Sequence, residues 1–255
     1  MSTSPTKINI LLINPNATPS MTTNCINVVQ PTLPPDVQLH PFTAPHPAPT
    51  AIESQVDAIL SSAASFRALL PLQQEQNHDA MLVACYSDHA LIRMLKEEFE
   101  IPVIGIMEAS LFAARTLGSR IGLVATAGRS AIAHRDAFKR YGCQDYCAGI
   151  RACELGVLDL ETLPRERVLA RMAAVARELV EVDGADVLTL GCAGMTDMRV
   201  AVEGAVGPLG VQVVDGVVAG VHHLVGIVRM GGRTAKRGVH RSSLVARERR
   251  GQDYV

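Results

Sequence analysis

Short apolar runs recur along this chain, and most are apolar at consecutive positions rather than at alternate ones. A strand written this way hides both of its faces, which points to a parallel sheet with helices above and below. The runs are 8–13 (INILLI), 37–42 (weaker), 81–84, 101–106 (IPVIGI), 120–126 (RIGLVAT), 186–190 and 211–216 (VQVVDG). Helical patterns fall between them. Residues 51–70 carry Ile52, Val56, Ile59, Leu60, Ala63 and Phe66 at helical spacing. Residues 90–99 and 108–118 read as two more helices, the second closed by Gly118. Residues 166–182 put Val168, Leu169, Met172, Val175, Ala176, Leu179 and Val180 on one face, and 217–230 (VVAGVHHLVGIVRM) follow the last strand as a helix. Alternating strands and helices predict an α/β fold.

The pattern restarts with the run 120–126, and the order strand, helix, thiol-ending strand occurs twice, so the expectation is two similar α/β lobes with parallel sheets. The N-terminal lobe takes 7–108 plus 217–232, and the C-terminal lobe takes 109–216. Residues 233–255 are rich in Gly and Arg and poor in apolar residues, which reads as a basic, solvated, flexible tail, part-helical near 244–250. A nucleic-acid or acidic-partner role for this tail is the lesser reading.

Composition narrows the function classes. A formal net charge of −1 gives no general attraction for nucleic acid or an anionic membrane. The absence of Trp and an aromatic content of 4% argue against a base-stacking surface. The first residues, MSTSPTKIN, lack the apolar core of a secretory signal. The longest apolar stretch, 211–230, contains Asp215, His222 and His223, so it reads as a strand and a buried helix rather than a membrane span. Six cysteines without a tight repeated spacing suggest free thiols in a reducing, cytoplasmic setting. Cys143, Cys147 and Cys153 fit no usual zinc spacing, so no metal is expected. The stretch LVATAGRS lacks the Gly-Lys-Ser/Thr ending of a phosphate loop, no GxGxxG follows the first strand, and no GxSxG elbow is present. No cofactor is expected, and the partner is a small-molecule substrate.

Two apolar runs end on a thiol: AMLVACYSDHAL at Cys85 and ADVLTLGCAGMTD at Cys192. Ligands of parallel α/β sheets bind at the carboxyl ends of the strands, where both thiols fall. Ser87 and Asp88 can cap the helix after the first, and Gly194 and Thr196 can open the one after the second. Free N–H groups there would favour thiolate and hold the oxygen of a developing enolate. Two lobes would set the thiols across one cleft, where a carbon acid could lose a proton to one and gain a proton from the other. A cysteine at a strand end also packs well as a small apolar group. Matching positions in two lobes favour chemistry.

At these residues the sequence resembles a known family. The stretches INPNAT (13–18), FTAPHPAPTAIES (42–54), ACYSDH (84–89), PVIGIMEA (102–109) and LGCAGM (190–195) resemble the hydantoin racemase branch of the aspartate/glutamate racemase superfamily, including Dcg1-like proteins. The likeness spans about residues 8–230, and the order and spacing of five motifs carry it. It implies a cofactor-independent racemase acting on a 5-substituted hydantoin, allantoin or similar carbon acid, with Cys85 and Cys192 as the acid/base pair. It implies that Asn14 contacts the substrate, with Asn16 shaping its loop. Thr43, Ser87, Asp88, His89 and Thr126 are implied to bind substrate, with Gly191, Ala193 and Gly194 giving close backbone approach. The resemblance also implies two Rossmann-like lobes related by a pseudo-dyad, with the active site in the cleft between them, and a homo-oligomer.

Two departures matter. His89 stands where hydantoin racemases commonly carry Pro, which suggests a charge partner for the thiolate or a substrate contact. The stretch APHPAP is richer in Pro than the usual version. A related isomerase, decarboxylase or cyclising enzyme in a biosynthetic pathway is therefore the alternative, followed by a non-catalytic ligand-binding relative.

Overall fold

The computed structural model describes residues 7–252. Strands β1 (Ile8–Asn14), β2 (Val37–Thr43), β3 (Ala80–Val83) and β4 (Val103–Gly105) form one sheet in the order β2-β1-β3-β4. Strands β5 (Ile121–Ala125), β6 (Cys147–Ala152), β7 (Val187–Leu190) and β8 (Gln212–Val214) form a second in the order β6-β5-β7-β8. Every pairing is parallel. The helices are α1 (Pro19–Val29), α2 (Gln55–Gln76), α3 (Ala90–Glu98), α4 (Ile106–Leu117), α5 (Gly128–Arg140), α6 (Asp159–Thr162), α7 (Arg165–Glu181), α8 (Arg199–Val206), α9 (Gly216–Arg229) and α10 (Leu244–Arg249). This is the two-lobed α/β architecture expected from the sequence.

The consecutive apolar runs are explained by cores on both sides of each sheet. Along β1, Ile10 and Leu12 turn toward α1, α4 and α9, while Leu11 and Ile13 turn toward α2 and α3. In the second sheet Val187 joins the shared core, and Leu188 and Leu190 pack with Met172, Leu179 and Val202 of α7 and α8. A polar residue on either face needs a buried partner to offset its desolvation.

The two linking helices cross over. Helix α4 follows the first sheet but packs on β7 and β8, while α9 follows the second sheet and packs on β1, β3 and β4. They also pack against each other, so one apolar core runs through both lobes. The two helices start so close together that a Cβ on Gly216 would lie 2.7 Å from the carbonyl oxygen of Ile106. Only Gly permits that approach. Asp215 caps α9, its Oδ1 accepting from the N–H groups of Val217 and Val218 at 2.9 and 2.8 Å.

Several elements differ from expectation. Helix α2 starts after Ser54, whose hydroxyl accepts from the Asp57 N–H at 3.1 Å, and it runs on through Pro71. Of its expected core stripe Phe66 is buried, Ile52 and Ala63 are half-buried, and Val56, Ile59 and Leu60 face outward, Val56 65% exposed. Beside Phe66 the buried face carries Ser61, Ser62, Ser65, Leu69 and Gln73. Two of these serines find carbonyls: Ser61 donates to Pro15 O of the loop after β1 and Ser62 to Ala58 O one turn back, each at 2.6 Å. The edge strand β6 and helices α1 and α5 are additions to the expected elements, whereas the helix expected after Cys192 is present as the 3-10 turn Ala193–Met198 running into α8. Strand β6 buries only Ile150 fully, and α5 buries little beyond His134, Ala137 and Phe138, so neither leaves a strong apolar pattern.

Most residues of 233–252 are exposed, as expected of a solvated tail, and α10 falls in the expected part-helical stretch, but Thr234, Lys236 and Arg247 dock the segment on the first lobe. Thr234 donates its N–H to Glu100 O at 2.7 Å and its hydroxyl to Ile101 O at 2.8 Å. The Lys236 ammonium donates to Lys96 O at 2.7 Å and Glu97 O at 2.9 Å, carbonyls at the end of α3 that have no partner within the helix. Arg247 pairs with Glu98 at 2.7 Å, with both side chains nearly buried. Charge docks this segment, so apolar periodicity could not have revealed it. No helix among the described residues is long and apolar enough to cross a membrane.

Candidate active site

The site is built where the inner strands of the two sheets end. Ala84 N–H, just past β3, donates to Ile13 O at 2.8 Å, and Gly191 N–H, just past β7, donates to Val124 O at 2.8 Å. Cys85 and Cys192 each follow that last ladder bond by one residue. They occupy equivalent places in the two lobes and open onto one cavity of about 540 Å³.

Cys85 Sγ lies 3.3 Å from Ser87 Oγ. Cys192 Sγ accepts from the Gly194 N–H at 3.4 Å, at the start of the 3-10 turn Ala193–Met198. Behind it, the buried Cys25 of α1 points its thiol at Ala193 O, 3.9 Å away. Both cavity thiols are only partly exposed. Burial pushes Cys85 up to about 11 against the opposing pull of Ser87. Burial pushes Cys192 up to about 12, outweighing the Gly194 N–H, and Cys85 is near enough to add to the rise.

The expected lowering by helix N-termini is therefore overturned. Helix α3 begins at Ala90, beyond the reach of Cys85, and its cap is His89 rather than Ser87 or Asp88. A helix dipole acts only over its first turn. At Cys192 a single N–H is too little to offset desolvation.

Ser87, Asp88, His89, Thr126, Gly191 and Ala193 all line the cavity. The hydroxyl of Thr126 lies 3.1 Å from Ser130 Oγ. Gly194 touches the thiol but not the cavity wall. The Asp88 carboxylate is committed, accepting from Arg93 at 2.7 Å and from Arg140 at 2.8 Å. Burial alone would raise its pKa, but hydrogen bonds from Arg140 and Arg93 outweigh that and hold it below the usual carboxylate range. His89 is no charge partner: burial lowers it to about 4, against a small opposing effect of Asp88, so the ring is neutral. Its Nδ1 accepts from the Leu91 N–H at 3.4 Å, and Ser61 and Ser62 flank it.

The two asparagines exchange their expected roles. Asn14 is buried and its Nδ2 faces Asn16 Oδ1, Thr18 O and Thr22 Oγ1 at 3.0–3.1 Å, so it shapes the loop. Asn16 lines the cavity, and its Nδ2 has only the thioether of Met21 as partner, at 3.3 Å. A thioether is a weak acceptor, which leaves this amide able to donate to a ligand. Thr43 is not on the wall; its hydroxyl lies 2.6 Å from Thr22 Oγ1 and supports the same loop.

Sequence reasoning missed one wall. Helix α5 presents Arg129, Ser130, His134 and Arg140 to the cavity. Glu53 closes a corner, its Oε1 accepting from the Val157 N–H of the other lobe at 2.6 Å. Glu53 lies within the quoted stretch FTAPHPAPTAIES, but the α5 residues lie outside every stretch that signalled the site.

Gly191 sets the position of the second thiol. A Cβ there would fall 2.7 Å from Val124 O and 3.1 Å from Ala125 Cα, both backbone atoms. Gly191→Ala is expected to cost about 1–3 kcal/mol of stability by overpacking. It should also displace Cys192, lowering kcat. Thermal unfolding and turnover measured on the same sample check this, and an unchanged melting temperature would refute it.

Comparison with known proteins covers nearly the whole molecule. The family model described as Asp/Glu/Hydantoin racemase matches residues 10–224. An uncharacterized protein of Schizosaccharomyces pombe, C1F7.10, is 40% identical, with 92% of this chain and 98% of that protein aligned. A hydantoin racemase of Pseudomonas sp. (strain NS671) is 34% identical, over 90% of this chain and 89% of its own length. Among solved structures, allantoin racemase from Pseudomonas fluorescens superposes with a TM-score of 0.84 at 28% identity, covering 92% of this chain and 97% of that one.

Proposed function

Starting from a chain that belongs to the Asp/Glu/hydantoin racemase family, we propose that it racemises a 5-substituted hydantoin, allantoin or a similar cyclic carbon acid, with Cys85 and Cys192 as the two bases. The observation that carries this reading is the pair of thiols at equivalent strand ends on one cavity. The relatives named as hydantoin and allantoin racemases support the substrate class.

One thiolate removes the proton from the carbon next to a carbonyl, giving a planar enolate. The other thiol, on the opposite face, returns a proton, and the roles exchange with the hand of the substrate. Asn16 Nδ2, Ser87 Oγ and Thr126 Oγ1 are the donors placed to hold the carbonyl oxygens of the ring. The raised thiol pKa values have a catalytic sense. Fewer thiolates exist at neutral pH, but each is a stronger base, closer in strength to a weak carbon acid. The neutral His89 and the committed Asp88 place no free charge beside the thiolates.

The direct test incubates each enantiomer of allantoin and of a 5-substituted hydantoin with purified protein and follows optical rotation. Decay well above the uncatalysed rate for at least one substrate is expected. Unchanged rotation for all of them, with folded protein, would overturn the substrate assignment.

A further inference from the structure

Cys85 belongs to the first lobe, yet the residue after it is fastened to the second. Tyr86 is buried, and its hydroxyl lies 2.9 Å from both Ser110 Oγ on α4 and Thr189 Oγ1 on β7. Thr189 is three residues before Cys192 on the strand that delivers that thiol. His134 on α5 donates from Nε2 to the Tyr86 carbonyl at 2.9 Å. Its ring stands edge-on to the tyrosine ring, 5.5 Å between centroids at 85°. Burial keeps the phenol protonated, pushing it up to about 12. Helices α4 and α5 and strand β7 all pack in the second sheet's half of the molecule, so each of these contacts crosses from the first thiol loop to the scaffold of the second thiol.

Resting on the racemase reading above, we infer that Tyr86 is a positioning residue that sets the separation of Cys85 and Cys192, and so governs how often a deprotonated substrate is inverted. An enolate formed by one thiol has two fates. The far thiol protonates it with inversion, or the near thiol, after exchanging its proton with solvent, protonates it with retention. Only the first fate depends on the spacing across the cleft. Packing by itself would not give Tyr86 this role; the hydroxyl joined to the β7 strand does.

The experiment is racemisation in D₂O by wild type, Tyr86→Phe and Thr189→Val, following rotation and the deuterium content of each recovered enantiomer. Tyr86→Phe keeps the ring and its packing and removes only the hydroxyl. Inversion is expected to slow by about 10–100-fold, the range for a small misplacement of a reacting group. KM should change little, and the ratio of deuterium in the unconverted enantiomer to inversion should rise severalfold. Thr189→Val should shift the ratio in the same direction, and the double variant should be no worse than Tyr86→Phe alone, since both cut one link. Should Tyr86→Phe fail to fold, Thr189→Val carries the same test. A fall in rate with an unchanged ratio, or additive effects, would overturn the inference while leaving the racemase reading intact. A wild type that neither exchanges nor inverts any substrate would overturn both.

Discussion

Replacing either Cys85 or Cys192 by alanine is expected to lower racemisation by about 10²–10⁴-fold, the usual worth of a positioned acid or base. The two losses should differ in kind. With Cys85→Ala, the surviving thiol still faces one side of the substrate carbon, so one enantiomer should take up solvent deuterium without inverting. With Cys192→Ala, the opposite enantiomer should behave this way. The cross-over follows from the placement of the thiols, each one residue past equivalent ladder bonds in the two sheets. Rotation and α-deuterium followed together in D₂O separate the cases. Wild-type rotation decay in both single variants would remove the thiols from the reaction. A substrate-sized mass adduct on either cysteine would favour covalent chemistry over simple proton transfer.

The second large effect is on pH dependence. With Cys85 at about 11 and Cys192 at about 12, both thiols are almost wholly protonated at neutral pH. The active form of the free enzyme needs one thiolate and one thiol. Its kcat/KM should therefore climb about tenfold per pH unit from pH 7 to pH 9, because that parameter reports the free enzyme's groups. A flat profile over this window would show that thiolate formation does not limit the reaction. The same shifts carry a stability cost at high pH. These thiols hold their protons more tightly folded than unfolded, so above about pH 8.5, where an unfolded cysteine ionises, the unfolded chain binds fewer protons. The slope of unfolding free energy against pH is then negative, and stability falls as pH rises toward 11–12. Activity and stability should run in opposite directions across this range, and urea titrations at pH 7 and pH 10 would show the second trend.

Much of the architecture was legible because it is local. The double-faced apolar runs of β1, β3, β5 and β7 can be satisfied only inside parallel sheets, and a run that ends on a small polar loop marks its own carboxyl edge. Cys85 and Cys192 stand out at such edges from the apolar runs alone. The amphipathic helix α7 announced itself for the same reason: Val168, Met172, Val175 and Leu179 repeat with the helical turn and are buried. Elements held by polar contacts gave no such signal. Helix α5 is mostly charged and small, yet it forms one wall of the cavity. The basic stretch 233–252 docks through Lys236 on backbone carbonyls and Arg247 on Glu98.

By itself, then, the sequence determined every strand but the edge strand β6, the alternation of strand and helix, and the two strand ends that carry thiols, because these depend on periodicity within each segment. Only the tertiary structure decided what each group at the site can do. Asn16 rather than Asn14 reaches the cavity, because Asn14 is consumed by Asn16 and Thr18 of its own loop and Thr22 of α1. His89 is neutral because α2 buries it beneath Ser61 and Ser62. The thiols are strong bases rather than ready thiolates because the protein packed around them removes water, which the Ser87 hydroxyl at Cys85 and the single Gly194 N–H at Cys192 do not offset. Charge state and direction of approach are set by neighbours distant in the chain, and no local pattern of residues encodes them.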